Sequence, residues 1–170
     1  IVMILGSIFH GCHGVFLSPT TFLRRPLRWL EAISEYRGTM TGAPNFAFEW
    51  CTQIANSKSI GHLDLSSLEL IYNAAEPIAP QTVRAFAEQL QPGGLNPDGL
   101  RNGYGLAGAA VFGGDGRPGL FPKSSWVDSA RLARGTAQLV TAEKHGALEI
   151  PEIGIPWRDS RSEIVDPATF

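Results

Sequence analysis

Cysteine is scarce: Cys12 and Cys51 are the only two in 170 residues. Two isolated thiols make no disulfide framework, and they predict a reducing, cytoplasmic setting. Charge is sparse as well. Charged side chains are 18% of the chain, against ~25% in an average soluble domain. Lys and Arg number 14 and Asp and Glu 16, so the net charge is -2. No strong field follows, which excludes a nucleic-acid wrapper or a polybasic membrane binder. The low charge also predicts that part of the surface is covered by something else. No apolar run reaches the ~18 residues that a spanning helix needs. No charged segment precedes an apolar stretch at the start, so no signal peptide is expected. The chain opens at Ile1 inside an apolar run and stops at Phe170 after a strand-like segment, so both ends read as cuts through a longer protein. No internal repeat is found.

What is present is a chain of single-domain size, 44% hydrophobic, with 19 glycines and 12 prolines that imply many turns. Residues 1–10 read as the end of a buried helix, 11–14 as a turn and 15–17 as a buried strand ended by Ser18-Pro19. A helix follows with Thr20 or Thr21 as its cap, then a second over 26–36, with Pro26 at its first position. Leu27, Leu30 and Ile33 give that second helix an apolar face. A strand is predicted at 39–41, a helix capped by Asn45 running to about Ala55, a strand at 68–72 and an amphipathic helix over 80–90. A turn at 92–94 leads into a loop to Arg101, then a strand at 111–112, a short helix at 128–134 and a final strand at 163–165. Short apolar strands alternating with helices imply βαβ units. The predicted fold is α/β, a mostly parallel sheet flanked by helices, with a small mixed β segment at the C-terminal end. Residues 1–112 form the α/β part, and 113–170 an insertion-like segment and the start of a β subdomain.

Several motifs invite chemistry. His10-Gly11-Cys12-His13 has no second His/Cys group near it in sequence, so a turn is read there and no metal site. The glycine-rich stretch 113–119 lacks a Gly-Lys-Ser/Thr ending, and Pro118 blocks a following helix, so it reads as a plain loop. Cys51 reads as a buried structural thiol. Glu76 follows a buried strand, and Tyr104-Gly105 lies in a second loop. In an open parallel sheet, ligands bind beyond the carboxyl ends of the strands. Phe46, Phe48 and Trp50 are spread too widely for one helical face. Two readings stay open for them: a helix buried on several sides, or one lining an apolar tunnel.

The run from Ser18-Pro19-Thr20-Thr21-Phe22-Leu23 through Pro26-Leu27-Arg28-Trp29-Leu30 to Tyr36-Arg37-Gly38-Thr39 resembles fatty-acyl-AMP ligases of the adenylate-forming superfamily. Gly42-Ala43-Pro44-Asn45-Phe46-Ala47-Phe48, Leu63-Asp64-Leu65-Ser66, Asn73-Ala74-Ala75-Glu76-Pro77-Ile78, Tyr104-Gly105-Leu106-Ala107 and Ile164-Val165-Asp166-Pro167 continue the likeness in order. It covers the central part of that family's N-terminal domain. The resemblance implies that a fatty acid and ATP give an acyl-adenylate and pyrophosphate, and that the acyl group passes to an acyl-carrier protein. Residues 121–156 fall where these ligases carry an insertion that acyl-CoA ligases lack. By the same resemblance Asn73, Ala74, Ala75 and Glu76 wall the adenine, with Ala74 where the family has Gly. Tyr104 lies on the ring, Gly105 gives close approach, and Leu106 and Ala107 extend that strip. Asn45, Phe46 and Phe48 belong to the wall of the acyl tunnel.

The departures sit just beyond. Where the family has Glu-Ala-Thr, this chain has Gly108-Ala109-Ala110, so the magnesium-holding Glu is replaced by Gly108 and the phosphate-contacting Thr by Ala110. Ile153 stands where the family often has Cys. The family's phosphate loop and His-Asp motif would lie upstream of Ile1. Its ribose-binding Asp and Lys-bearing C-terminal domain would lie downstream of Phe170. ATP and Mg are the cofactors the resemblance implies for the full-length family, and none is expected for this chain alone, which is expected to be inactive. The expected partners are a fatty acid, an acyl-carrier protein and the remainder of an adenylation domain. The alternatives are a non-catalytic acyl- or nucleotide-binding module, a decayed gene product, and a true acyl-CoA ligase.

Overall fold

The structure is a computed structural model, and it describes residues 2–57, 60–105, 119–156, 161, 163 and 165. Its centre is a parallel sheet of three strands in the order β1-β2-β3, formed by β1 (Met40–Ala43), β2 (Leu70–Asn73) and β3 (Leu100–Asn102). Helix α4 (Asn45–Ser57) joins β1 to β2, and α5 (Pro80–Leu90) joins β2 to β3. Right-handed crossovers between strands added in one direction put both helices on the same face of the sheet, and α4 packs against α5. The register aligns Thr41 with Ile71 and Leu100, and one step on, Ala43 with Asn73 and Asn102. Side chains alternate across a strand, so those two rows share one face. Ile71 and Leu100 are wholly buried there.

Three helices precede β1. In α2 (Pro19–Arg24) the cap is Ser18, not Thr20 or Thr21. The Thr21 N–H donates to Ser18 Oγ at 3.1 Å, and Pro19 takes the first helical position, where no N–H is needed. Helix α3 (Leu27–Tyr36) buries Leu30 and Ile33 and is stopped by Arg37 in the left-handed region, φ 53°. Helix α1 (Val2–His10) leaves Ile4, Leu5, Ile8 and Phe9 exposed, so the buried helix end expected there is not observed.

Helix α5 carries the most regular apolar stripe. Val83, Phe86, Ala87 and Leu90 are buried at three- and four-residue spacing, with Pro80 at the first turn. Phe86 meets Phe48 of α4 at 4.7 Å between ring centroids, and Trp29 of α3 lies 5.5 Å from Phe48 and 6.1 Å from Phe86. This aromatic triad fixes the three helices against each other. Burying side chains of this size stabilises by roughly 1.5–3 kcal/mol each.

A second sheet pairs β4 (Ser124–Asp128) antiparallel with β5 (Ala147–Pro151), and α6 (Ser129–Leu132) lies in their connection, capped by Asp128. Arg84 of α5 makes a two-pronged ion pair with Glu149 of β5 at 2.7 and 2.8 Å, which anchors this hairpin to the helical layer.

Three further expectations are corrected. Residues 15–17 form no strand, and Val15 and Phe16 are exposed, because no strand among the described residues pairs with them. The stretch to Arg101 is not all loop: a 3-10 turn at Pro97–Gly99 leads directly into β3. The small β segment expected at the C-terminal end is the antiparallel hairpin β4–β5, with its strands at Ser124–Asp128 and Ala147–Pro151. Glu163 and Val165 are in no strand. The strand expected at 111–112 lies outside the described residues.

Candidate functional site

The site is built where β1, β2 and β3 end. Ala43, Asn73 and Asn102 form the last row across the sheet, and a loop leaves each strand there. One hydrogen bond ties the loop after β3 to the end of β2, and another ties the loop after β2 to the end of β1. The Gly103 N–H donates to the Asn73 carbonyl at 2.9 Å, and the Ala74 N–H donates to the Ala43 carbonyl at 3.3 Å. A Cβ placed on Gly103 would stand 3.5 Å from the Ala74 Cβ and 3.6 Å from the Tyr72 ring, so residues 74 and 103 touch. Tyr104 follows at once and is 49% exposed, its ring available to a flat partner. Gly105 lies beside it, also exposed. Leu106, Ala107, Gly108 and Ala110 lie outside the described residues.

The loop after β2 is held to the first turn of α4 by three hydrogen bonds. Asn45 Oδ1 accepts from Asn73 Nδ2 at 3.1 Å and from the Ala79 N–H at 3.2 Å. Glu76 Oε1 accepts from the Phe46 N–H at 2.5 Å. The first N–H groups of a helix have no partner within it, and an anion is favoured at that end. Glu76 supplies both the acceptor and the charge. Asn45 is therefore less the helix's own cap than the acceptor that ties residues 73–79 to it. Between two bonded ends, Ala75 is forced into the left-handed region at φ 78°. A non-glycine residue there carries roughly 1–2 kcal/mol of backbone strain, so the glycine-like position of this loop is 75.

Two buried amides define the floor. Because Asn45 Oδ1 accepts a backbone N–H, Asn73 must present its NH2 to it, which turns Asn73 Oδ1 away, without a partner among the described residues. Asn102 donates through Nδ2 to the Glu152 carbonyl at 3.2 Å, and its Oδ1 likewise has no partner among the described residues. The two acceptors belong to residues in register on adjacent strands. Buried polar atoms are nearly always bonded, so such a pair invites a donor. A cavity of about 20 Å³, room for a single water, is lined by Asn102, Arg101, Phe121 and Glu152 among others.

Around the helix the aromatics divide. Phe48 is wholly buried in the core. Phe46 and Trp50 lie one turn apart on the opposite side, 37% and 38% exposed. They meet each other at 5.6 Å, and Phe22 of α2 meets both, stacking on Trp50 at 6.3 Å. A wider groove of about 270 Å³ runs between α4 and α5, lined by Glu49, Thr52, Gln53, Gln81, Thr82 and Ala85. None of Phe46, Phe48 and Trp50 lines it. Among the described residues no three His, Cys, Asp or Glu side chains gather in a group that could hold a metal ion. Likewise no described helix is long and apolar enough to cross a membrane.

Sequence reasoning singled out Asn45, Asn73, Glu76 and Tyr104, and the fold brings all four to one end of the sheet. It missed Asn102 and Gly103. The signal available was Asn102-Gly103-Tyr104-Gly105 following Leu100, but with β3 unrecognised those residues had no strand end to stand on.

Comparison with known proteins agrees with this geometry. The family described as AMP-binding enzyme matches residues 1–169. A probable long-chain-fatty-acid–AMP ligase of Mycobacterium tuberculosis is 32% identical over 94% of this chain and 27% of its own length. A medium-chain-fatty-acid–[acyl-carrier-protein] ligase of Teredinibacter turnerae is 31% identical over 98% of this chain and 26% of its own. Among solved structures, a fatty acid AMP ligase from Legionella pneumophila superimposes with a TM-score of 0.87 at 30% identity, covering 98% of this chain and 29% of that one. A fatty acyl-adenylate ligase from L. pneumophila, in complex with acyl adenylate and pyrophosphate, gives 0.82 at 31% identity, covering 91% of this chain and 27% of that one. The chain thus spans little more than a quarter of the length of these relatives. Matched along nearly its whole length, it belongs to the AMP-binding enzyme family and shares sequence and fold with the fatty-acyl-AMP ligases.

Proposed function

We propose that this chain supplies the adenine-side wall and the mouth of the acyl site of a ligase that activates a fatty acid as its adenylate. In that reaction a carboxylate oxygen of the acid bonds to the α-phosphorus of ATP. The bond from that phosphorus to the bridging oxygen breaks, and pyrophosphate leaves. The thiol sulfur of an acyl-carrier protein then bonds to the acyl carbon, the bond from that carbon to the phosphate oxygen breaks, and AMP leaves with the thiol proton released. The observation that carries the reading is that the chain leaving β3 bonds to the end of β2 through the Gly103 N–H and the Asn73 carbonyl, with exposed Tyr104 at the lip. A flat purine fits the exposed aromatic face of Tyr104. Phe46 and Trp50 offer apolar surface at the start of α4, with Phe48 as the buried support behind them. The likeness to a ligase solved with acyl adenylate supports the chemistry, and the likeness to a ligase named for an acyl-carrier protein supports the acceptor.

No step is assigned to magnesium, since Gly108 and Ala110 carry no side-chain oxygen. Those two residues favour a second reading, a module that binds nucleotide and lipid without adenylation. Calorimetry with a non-hydrolysable acyl-adenylate analogue tests the site. Tyr104→Ala should weaken binding by about 10-fold, the loss of one stacked base. Unchanged affinity in that variant refutes the adenine assignment. The 170-residue chain by itself should show no fatty-acid-dependent ATP–pyrophosphate exchange, and exchange above a no-enzyme blank overturns that.

A further inference from the structure

We infer that Glu76 and Asn45 are positioning residues that make nucleotide and fatty acid bind cooperatively, by fastening the nucleotide-side loop to the acyl-side end of α4. The inference rests on the functional reading above and goes beyond it. That reading needs two sites, whereas the hydrogen bonds say how the two are joined. Residues 74–76, which face the nucleotide in it, and Phe46, which faces the acid, belong to segments 30 residues apart in sequence. Three hydrogen bonds make them one unit. The Phe46 N–H is held by Glu76 Oε1 at 2.5 Å, and the Asn73 amide and Ala79 N–H converge on Asn45 Oδ1. The bond to Glu76 is made by the backbone of the same residue whose ring offers apolar surface.

The two halves differ in burial. Asn45 and Asn73 are 7% and 0% exposed, so that half is a fixed pivot. Glu76 and Ala75 are exposed, and Ala75 is held at φ 78°. That half is bonded but open to water, so it is the weaker of the two. A ligand against residues 74–76 favours the bonded arrangement, which holds the first turn of α4 and the Phe46 backbone. An acyl chain on Phe46 then meets a surface already ordered, and the reverse holds for the second ligand. Shared ordering of this kind gives positive cooperativity without a large movement, and linkage makes it reciprocal.

The test is fluorescence or calorimetric titration of the protein with AMP, a probe that needs no metal, with and without saturating dodecanoate. The expected wild-type result is that dodecanoate tightens AMP by about 5-fold, the lower end of measured couplings. In Glu76→Ala the ratio should fall to about 1, while Glu76→Gln, whose amide oxygen still accepts the Phe46 N–H, keeps most of it. Hydrogen exchange at the Phe46 amide provides a readout independent of ligands, and it should quicken in Glu76→Ala by about 5-fold, the loss of one helix cap. A merely structural role for Glu76 would weaken both ligands and leave the ratio intact, which overturns the inference. So does AMP binding that dodecanoate never affects in the wild type. If the wild type binds neither probe, the functional reading falls first and the coupling with it.

Discussion

Replacing Asn45 with alanine removes the acceptor on which two separate donors converge, and its cost can be worked from their surroundings. Asn73 is fully buried, and its NH2 bonds to Asn45 Oδ1 at 3.1 Å. Its own Oδ1 already has no partner among the described residues. In Asn45→Ala that whole amide is stranded in the core, which costs roughly 1–3 kcal/mol. The Ala79 N–H, 3.2 Å from the same oxygen, is part-buried and regains some water, so about 1 kcal/mol is lost there. The sum is a destabilisation of about 2–4 kcal/mol, or ~5–15 °C in Tm for a chain of this size. Urea unfolding followed by tryptophan fluorescence measures it as a lower midpoint at constant slope. Asn45→Asp keeps an oxygen for both donors beside a helix N-terminus and should lose much less. Asn73→Ala in the Asn45→Ala background should cost less than the two singles added, by about 1 kcal/mol, because the donor it removes is already stranded. A loss under ~1 kcal/mol in Asn45→Ala, or strict additivity in the double variant, refutes the argument.

Other outcomes follow from the same contacts. Phe86→Ala should destabilise by about 3–5 kcal/mol, since its ring is wholly buried between Phe48 and Trp29; Trp50→Ala, on the half-exposed side, should cost clearly less in the same urea titration. The Asp128 carboxyl is held down at about 2, first by its hydrogen bond to Lys144 and then by the N–H of Arg131. A lowered folded-state value means that its contribution is complete above the unfolded value near 3.8 and fades as the pH falls toward 2. Hydrogen exchange should therefore show α6 and the end of β4 loosening over that window, and Asp128→Asn should flatten the response. Burial pushes the Cys51 thiol up to about 12, while Cys12 is exposed. A thiol reagent at pH 8 should label Cys12 at once and Cys51 only on unfolding; prompt double labelling refutes the packing around α4.

What was legible in the sequence followed range of interaction. Helix α5 was predicted with its observed bounds, 80–90, because Pro80, Val83, Phe86 and Leu90 are all local signals: a ring that fixes φ at the first turn and an apolar stripe at helical spacing. Residues 15–17 were misread because three apolar residues before Ser-Pro look like a strand, yet a strand exists only where a neighbour supplies hydrogen bonds. Strand β3 failed in the opposite sense. It has three residues, all buried, with Arg101 in the middle bonding to the carbonyls of Asp98 and Leu100 at 2.6 Å. Its identity as a strand comes from β2 alone. The positions of β4 and β5 were hidden for a like reason, since Glu149 inside β5 is stable there through Arg84, 65 residues away.

The site repeats this division. Glu76 and Tyr104 could be picked out because each follows a turn after a buried segment, and loops at the carboxyl ends of parallel strands are where ligands bind. What Glu76 does could not be read, because its partner is a backbone N–H, and every residue but proline has one. No pattern of side chains marks which N–H stands free. It stands free because α4 begins there, and α4 begins there because β1 ends at Ala43 beside Asn73. Residue types therefore announce which groups can act, and chain topology decides on whom. Ala75 shows the consequence for substitutions. The resemblance notes alanine for glycine at 74, and the left-handed backbone falls at the next residue, 75, so Ala75→Gly would relieve strain where Ala74→Gly would not.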